Sequence, residues 1–156
     1  MSLTTAQRAA IKADIQATPA LNTMYMDGNL GGLADAYNAA ASPAFTVWKT
    51  SVPIAAVGQA FNGAEWAGMT SANHTRLQTV AQYCGTVNPS LPGIRAMFDD
   101  IWSGAGGTNT RAALLALWKR TATRAEKLFA TGTGSDAVPA TLTFEGSLSY
   151  TDFIGL

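Results

Sequence analysis

The amino-acid sequence predicts a mainly α-helical protein: a small domain of about five to six helices followed by an extended C-terminal arm or β-hairpin. Apolar residues recur at helical spacing through residues 1–130, with capping residues or prolines where those stretches begin. After residue 130 the pattern changes to the apolar–polar alternation of a half-buried strand. We therefore divide the chain into a helical domain at 1–130, a flexible linker at 131–139 and a docking arm at 140–156.

Two helices and an ambiguous segment are predicted in the first third of the chain. Thr4 and Gln7 have the capping-box spacing that begins a helix, and Pro19 lies just beyond the expected end. A second helix should begin near Asn29, since apolar residues at positions 30, 33, 34 and 37 form one buried face. Residues 45–50 are rich in aromatic and β-branched side chains, which suit either a short strand or an extended link.

Four more helices are predicted before residue 130. The first begins at Pro53, the second is capped by Thr70 or Ser71, and the third follows the turn at 88–93. The last extends from about Thr110 to Ala130, because Ala, Leu, Lys, Arg and Glu dominate it and all of them favour helices. A kink near residue 121 is compatible with this pattern.

Composition points to a single domain with little surface charge. Charged residues make up 13% of the 156 residues, about half the usual share of roughly 25%. Ten basic and ten acidic residues cancel, so no global field attracts the chain to nucleic acid or to an anionic membrane. The low charge favours a surface covered by neighbouring subunits, although Ala, Gly and Thr also make a neutral soluble surface.

The sequence also favours an intracellular setting without a membrane. Cys84 is the only cysteine, so an intrachain disulfide is excluded. Residues 1–8 lack the basic start and apolar run of a signal peptide, and no apolar stretch approaches the ~20 residues that span a bilayer. We expect the protein in a cytosol or in a particle assembled there.

No residue pattern predicts catalysis, a cofactor or a metal site. His74 is the only histidine and has no G-x-S-x-G motif to serve, and Cys84 is expected to be a small buried residue. The adjacent Asp99 and Asp100 point about 100° apart on a helix and do not converge. The glycine-rich segments 103–107 and 131–134 lack the Gly-Lys-Ser/Thr of a phosphate loop. We therefore expect a protein that is not an enzyme.

Basic residues concentrate on the last predicted helix. Five of the ten Lys and Arg residues lie there, and Arg120, Arg124 and Lys127 share one face at i, i+4 and i+7. This face is either simply solvated or contacts an acidic partner or DNA phosphates. Any DNA contact would be non-specific, because no DNA-binding motif is present.

The arm is the most informative segment. It holds large apolar residues but no Lys or Arg to protect its edges. Burying each apolar side chain contributes about 1.5–3 kcal/mol, whereas an isolated hairpin is marginal in water. The arm must therefore dock, either on its own helical domain or by strand addition to a partner subunit. The predicted docking residues are Leu142, Phe144, Leu148, Tyr150, Phe153, Ile154 and Leu156.

The residues at 119–135 and 139–150, together with 1–15 and 37–50, resemble small proteins encoded by tailed bacteriophages and prophages. The order of helices first and arm last also resembles the head–tail connector (adaptor) proteins of these phages. Such proteins form a ring beneath the portal, with a C-terminal arm docked on the portal or on a neighbouring subunit. This second resemblance is one of layout, because no motif transfers residue by residue.

The resemblance implies a virion structural protein, assembled in the bacterial host cytoplasm. It would be a head–tail connector that forms a homo-oligomeric ring on the portal, with residues 140–156 as the docking arm. Arg120, Arg124 and Lys127 would face an acidic partner or the DNA channel. The alternatives are a capsid-decorating, stopper or tail protein, a phage-encoded nucleic-acid-binding regulator, or a cytoplasmic enzyme.

Overall fold

The computed structural model describes residues 3–156, and within them the protein is mainly α-helical, as predicted. The chain folds into two compact units. One consists of Met1–Val47 together with Thr121–Leu156, and the other of Trp48–Arg120. The first unit thus combines both ends of the chain, whereas the sequence predicted a helical domain, a linker and an arm in succession.

Nine α-helices, four short strands and two 3-10 helices make up the secondary structure of the described residues. In chain order they are α1 (Thr5–Ala17), α2 (Pro19–Met26), α3 (Leu30–Asn38), β1 (Thr46–Trp48), β2 (Val52–Pro53), α4 (Ile54–Gln59), α5 (Gly63–Ala67), α6 (Ser71–Tyr83), β3 (Thr86–Val87), α7 (Pro92–Ile101), η1 (Ala105–Gly107), α8 (Thr108–Trp118), β4 (Lys119–Thr121), α9 (Arg124–Phe129) and η2 (Tyr150–Phe153). β1 pairs with β4, and β2 pairs antiparallel with β3.

The first unit is built on α1, α2, α3 and α9. The Thr4–Gln7 capping box begins α1, and the Asn29 side chain caps α3 by accepting from the Gly32 N–H. Pro19 starts α2 because its fixed φ suits the first helical turn. The core of this unit combines helical side chains with residues of the C-terminal segment. Its largest fully buried members are Ile11, Leu33, Tyr37, Val47 and Phe153.

The second unit packs α4 to α8 around aromatic side chains. The Phe98 and Trp118 rings meet edge to face with centroids 5.3 Å apart, in a core that also buries Val57 and Leu114. Residues 45–50, whose structure the sequence left open, include the strand β1.

The long final helix predicted for 110–130 is interrupted. α8 ends at Trp118, β4 follows, and α9 begins at Arg124. The cause is local: Thr123 accepts from the Glu126 N–H while the Glu126 carboxylate accepts from the Thr123 N–H, which starts a new helix. Arg120 therefore lies in a strand, and the predicted helical face of Arg120, Arg124 and Lys127 does not form.

The predicted linker and hairpin also differ from the structure. Segment 131–139 is held in place, since the Thr46 N–H donates to the Gly134 carbonyl at 2.7 Å and Thr131 pairs with Thr141. Within 140–156 the alternation continues only to Phe144. A capping box between Ser149 and Asp152 then folds the chain into η2 instead of a second strand.

Candidate functional site

The inner face of the C-terminal arm is part of the first unit's core. Phe144, Leu148 and Phe153 are buried, and Phe153 is fully enclosed with its ring centroid 5.4 Å from that of Tyr37. Leu142 and Leu156 are half-buried at the edges of the apolar clusters. The sequence left open whether the arm docks on its own helical domain or adds as a strand to a partner subunit. In the single chain, the arm docks on its own helices.

Polar side chains of the helices fix the backbone of the arm. Asn38, the last residue of α3, donates from Nδ2 to the Leu148 carbonyl and accepts through Oδ1 from the Leu148 N–H, both at 2.8 Å. Arg8 on α1 donates to the Ile154 carbonyl at 2.7 Å. The Tyr25 hydroxyl donates to the Leu156 carbonyl at 2.8 Å. These contacts bind main-chain atoms, so they set the path of the arm independently of its side chains.

Sequence reasoning missed Arg8, Tyr25 and Asn38. Each lies 110 to 146 residues from its arm partner, so no spacing rule connects them. Their own helices offered no signal either, because a polar residue on a helix is normally read as solvent-facing.

The outer face of the arm carries two large apolar side chains. Tyr150 is 59% exposed and Ile154 is 55% exposed, in contrast to the buried Phe153 between them. Of the seven docking residues predicted from the sequence, these two remain accessible to a partner. The arm is thus two-sided, with one side in the core and the other in solvent.

An ionic cluster ties α9 to α1. The Asp14 carboxylate accepts from Arg124 Nε and Nη2 at 3.0 Å, and Oδ2 also accepts from the Tyr37 hydroxyl at 2.7 Å. The hydrogen bond from Arg124 to Asp14 raises the pKa of the guanidinium against the opposing effect of burial. Burial and the neighbouring Asp14 raise the pKa of the Tyr37 hydroxyl, so Tyr37 stays protonated and donates to the Asp14 carboxylate at neutral pH.

Arg124 and Lys127 line one cavity of about 300 Å³, together with Asp14, Ala41, Ser42 and Leu128. Lys127 Nζ lies 5.7 Å from the centroid of the Phe45 ring, within the range of a cation–π contact. Two of the three basic residues predicted as a site therefore come together, although Arg124 is already paired with a carboxylate.

The remaining titratable candidates have structural contacts. His74 Nε2 lies 3.0 Å from the Trp66 carbonyl, which places the ring proton on Nε2. Cys84 is half-buried at the end of α6, where the sequence predicted a buried residue. Asp100 pairs with Arg76 at 2.7 Å. Within residues 3–156, no three His, Cys, Asp or Glu side chains cluster as metal ligands.

Glu65 caps the N-terminus of α8. Its carboxylate oxygens accept from the Asn109 and Thr110 N–H groups, each at 2.8 Å. Burial acts to raise the pKa of this carboxyl, but the hydrogen bonds from Thr110 and Asn109 together outweigh it and lower the pKa. The pKa of Glu65 is lowered because its carboxylate lies at the start of a helix, where free N–H groups favour negative charge.

The fold and this site define a mainly helical protein whose C-terminal arm is anchored by backbone-directed side chains. No protein-family model, curated protein or solved structure matches this chain. No helix among residues 3–156 is both long enough and apolar enough to cross a membrane.

Proposed function

We propose that this chain is a structural subunit of a bacteriophage virion, and more specifically a head–tail connector that forms a homo-oligomeric ring on the portal. The observation that carries the proposal is the two-sided arm. Its inner residues anchor it in the core while Tyr150 and Ile154 stay exposed. An arm held in this way presents apolar groups to a partner with little further loss of conformational entropy.

The composition and the resemblance support the same role. The share of charged residues is low at 13%, as suits a subunit whose surface is covered by neighbours. The resemblance to small phage proteins supplies the virion setting, with assembly in the host cytoplasm and no catalytic function. In this proposal the partners are other copies of the chain and the portal.

The mode of docking that we propose differs from strand addition by a free arm. The partner contacts the outer face of the arm, near Tyr150 and Ile154, while Phe144, Leu148 and Phe153 stay in the core. The basic contribution to an acidic partner or to DNA is also smaller than the sequence predicted, because Asp14 neutralises Arg124.

The test uses point substitutions, since truncation after Gly134 would remove the buried core residues Ala140, Phe144, Leu148 and Phe153 and is expected to unfold the first unit. The variant carries both Tyr150→Ser and Ile154→Ser, and the matched control is Val138→Ser, which lies outside the arm and is 58% exposed. Light scattering coupled to gel filtration gives the mass of the chain with and without purified portal. Chemical unfolding checks that both variants remain folded.

We expect the wild type and Val138→Ser to assemble and the double variant to assemble more weakly. Roughly half of each side chain is still available for burial, which is worth about 1.5–3 kcal/mol for the pair. That corresponds to a loss of about tenfold to a hundredfold in affinity. A wild type that stays monomeric with and without portal contradicts the proposal, and so does a folded double variant that assembles like the control.

Mass spectrometry of purified virions separates the other classes. A connector, stopper, decorating or tail protein is present in the particle, whereas a regulator or a cytoplasmic enzyme is not. Absence of the chain from virions therefore contradicts the proposal. If the chain is present in the particle but does not bind the portal, the connector role is contradicted. The capsid-decorating, stopper and tail roles then remain.

A further inference from the structure

The cavity lined by Asp14, Ser42, Arg124 and Lys127 lies outside the docking surface of the proposed function. It lies within the first unit, between α1, α9 and the residues that follow α3, and has a volume of about 300 Å³. That volume is at the lower end of the range for small-molecule sites. Its lining combines polar and apolar residues and includes two cationic side chains and one carboxylate.

The charges of the cavity do not cancel. Both Asp14 oxygens are occupied, Oδ1 by Arg124 Nη2 and Oδ2 by Arg124 Nε and the Tyr37 hydroxyl. This pair is neutral as a unit, so Lys127 leaves the cavity with one net positive charge. The Lys127 amine lies 5.7 Å from the centroid of the Phe45 ring, which offers it no hydrogen-bond acceptor.

The cavity is also lined by several hydrogen-bond donors. Arg124 uses Nε and Nη2 for Asp14 and Thr18, so within residues 3–156 its Nη1 has no acceptor. The Lys127 amine adds three donors and the Ser42 hydroxyl one. The ion pair with Asp14 fixes the Arg124 guanidinium. Its Nη1 group is therefore held in place without further loss of conformational entropy. A rigid group of donors with net positive charge suits an oxyanion.

We propose that this cavity binds a phosphate group, either free phosphate or the phosphate of a small metabolite. Tetrahedral phosphate offers several oxygens to donors that come from separate directions, and Arg and Lys are its common protein partners. The two cationic groups are partly recessed, since the Arg124 side chain is 32% exposed and Lys127 is half-buried, while Ser42 lies at the exposed rim. A recessed site favours a small ligand over a duplex backbone, which exposed side chains contact.

The experiment measures binding of inorganic phosphate to the full chain by calorimetry, with sodium chloride at matched ionic strength as the blank. The test variant is Lys127→Met, which keeps most of the side-chain length but removes the charge. Arg124 is left unchanged because it holds α9 to α1. The control is Lys12→Met, an exposed lysine of the same unit that lies outside the cavity. Glycerol phosphate and a short DNA duplex are titrated in parallel.

We expect saturable phosphate binding by the wild type and by Lys12→Met, and an affinity at least about tenfold lower for Lys127→Met. Tighter binding of glycerol phosphate than of free phosphate identifies a metabolite as the source, and the reverse order identifies the free ion. The proposal is overturned if phosphate gives no more heat than chloride, or if Lys127→Met binds as the wild type does. Binding of the duplex without binding of either small phosphate also overturns it.

Discussion

Replacement of Asn38 by alanine tests how the arm is held. The Asn38 side chain is the only group in the described residues that satisfies both main-chain polar atoms of Leu148, through two hydrogen bonds of 2.8 Å. Leu148 itself is buried, so its N–H and carbonyl have limited access to replacement water. The variant should therefore loosen the arm at this point while leaving its apolar side chains unchanged.

The expected loss in the free energy of unfolding is about 1–3 kcal/mol. Each hydrogen bond contributes a net value of about 0.5–1.5 kcal/mol, and an unpaired buried partner costs more. Alanine favours helix over asparagine by at most about 0.7 kcal/mol, which offsets part of the loss at the end of α3. The hydrogen bonds therefore outweigh the helix propensity, and the variant is destabilised.

Two measurements check this result. Urea unfolding gives the free energy of unfolding of Asn38→Ala against that of Asn22→Ala, an exposed asparagine inside α2 whose replacement should raise stability by at most about 0.7 kcal/mol through helix propensity alone. Hydrogen exchange reports directly on the Leu148 amide, which should exchange faster in Asn38→Ala only. Equal stability of the two variants, with unchanged protection of Leu148, would refute the reasoning.

Two further predictions concern the packing of the core and the dependence of the free energy of unfolding on pH. Phe153→Ala should lower the free energy of unfolding by about 3–5 kcal/mol, because it empties a fully buried site beside Tyr37; equal losses for Phe153→Leu and Phe153→Ala in urea unfolding would contradict the packing. The lowered pKa of Glu65 means that the unfolded state binds more protons, so its contribution is present above the ordinary carboxyl pKa and is lost as the pH falls through the lowered value. The stability difference between wild type and Glu65→Gln should therefore shrink from about pH 7 to about pH 3, and a constant difference across that range contradicts it.

Local signals in the sequence predicted most helix starts. The Thr4–Gln7 box, the Asn29 cap and the Thr70 cap all lie where helices begin, because capping depends only on residues within one turn. The interruption after Trp118 carried a signal of the same kind, the Thr123–Glu126 box. Our prediction rested on helix-forming composition and did not consider this box, although a cap with two reciprocal hydrogen bonds determines where a helix begins more strongly than propensity does.

The candidate site could be predicted only in part. The alternation at 141–144 correctly indicated that Phe144 is buried and its threonine neighbours exposed. It failed after Leu148 because the Ser149–Asp152 box changes the period, so Tyr150 faces solvent while Phe153 enters the core. The pairing of Asn38 with Leu148 and of Asp14 with Arg124 depends on tertiary folding across 110 residues, which no local pattern encodes.

The same magnitudes decide how the arm would serve assembly. Release of the arm to dock on a different protein exposes Phe144, Leu148 and Phe153, which costs about 4.5–9 kcal/mol at the usual value for each side chain. Covering Tyr150 and Ile154 in place returns about 1.5–3 kcal/mol without that cost. In the proposed function, a partner such as the portal would therefore bind the arm where it lies. Exchange of arms between identical copies is the exception, because each copy regains the inner contacts. Release of the arm would then be comparable in free energy with binding of a partner to the arm in place.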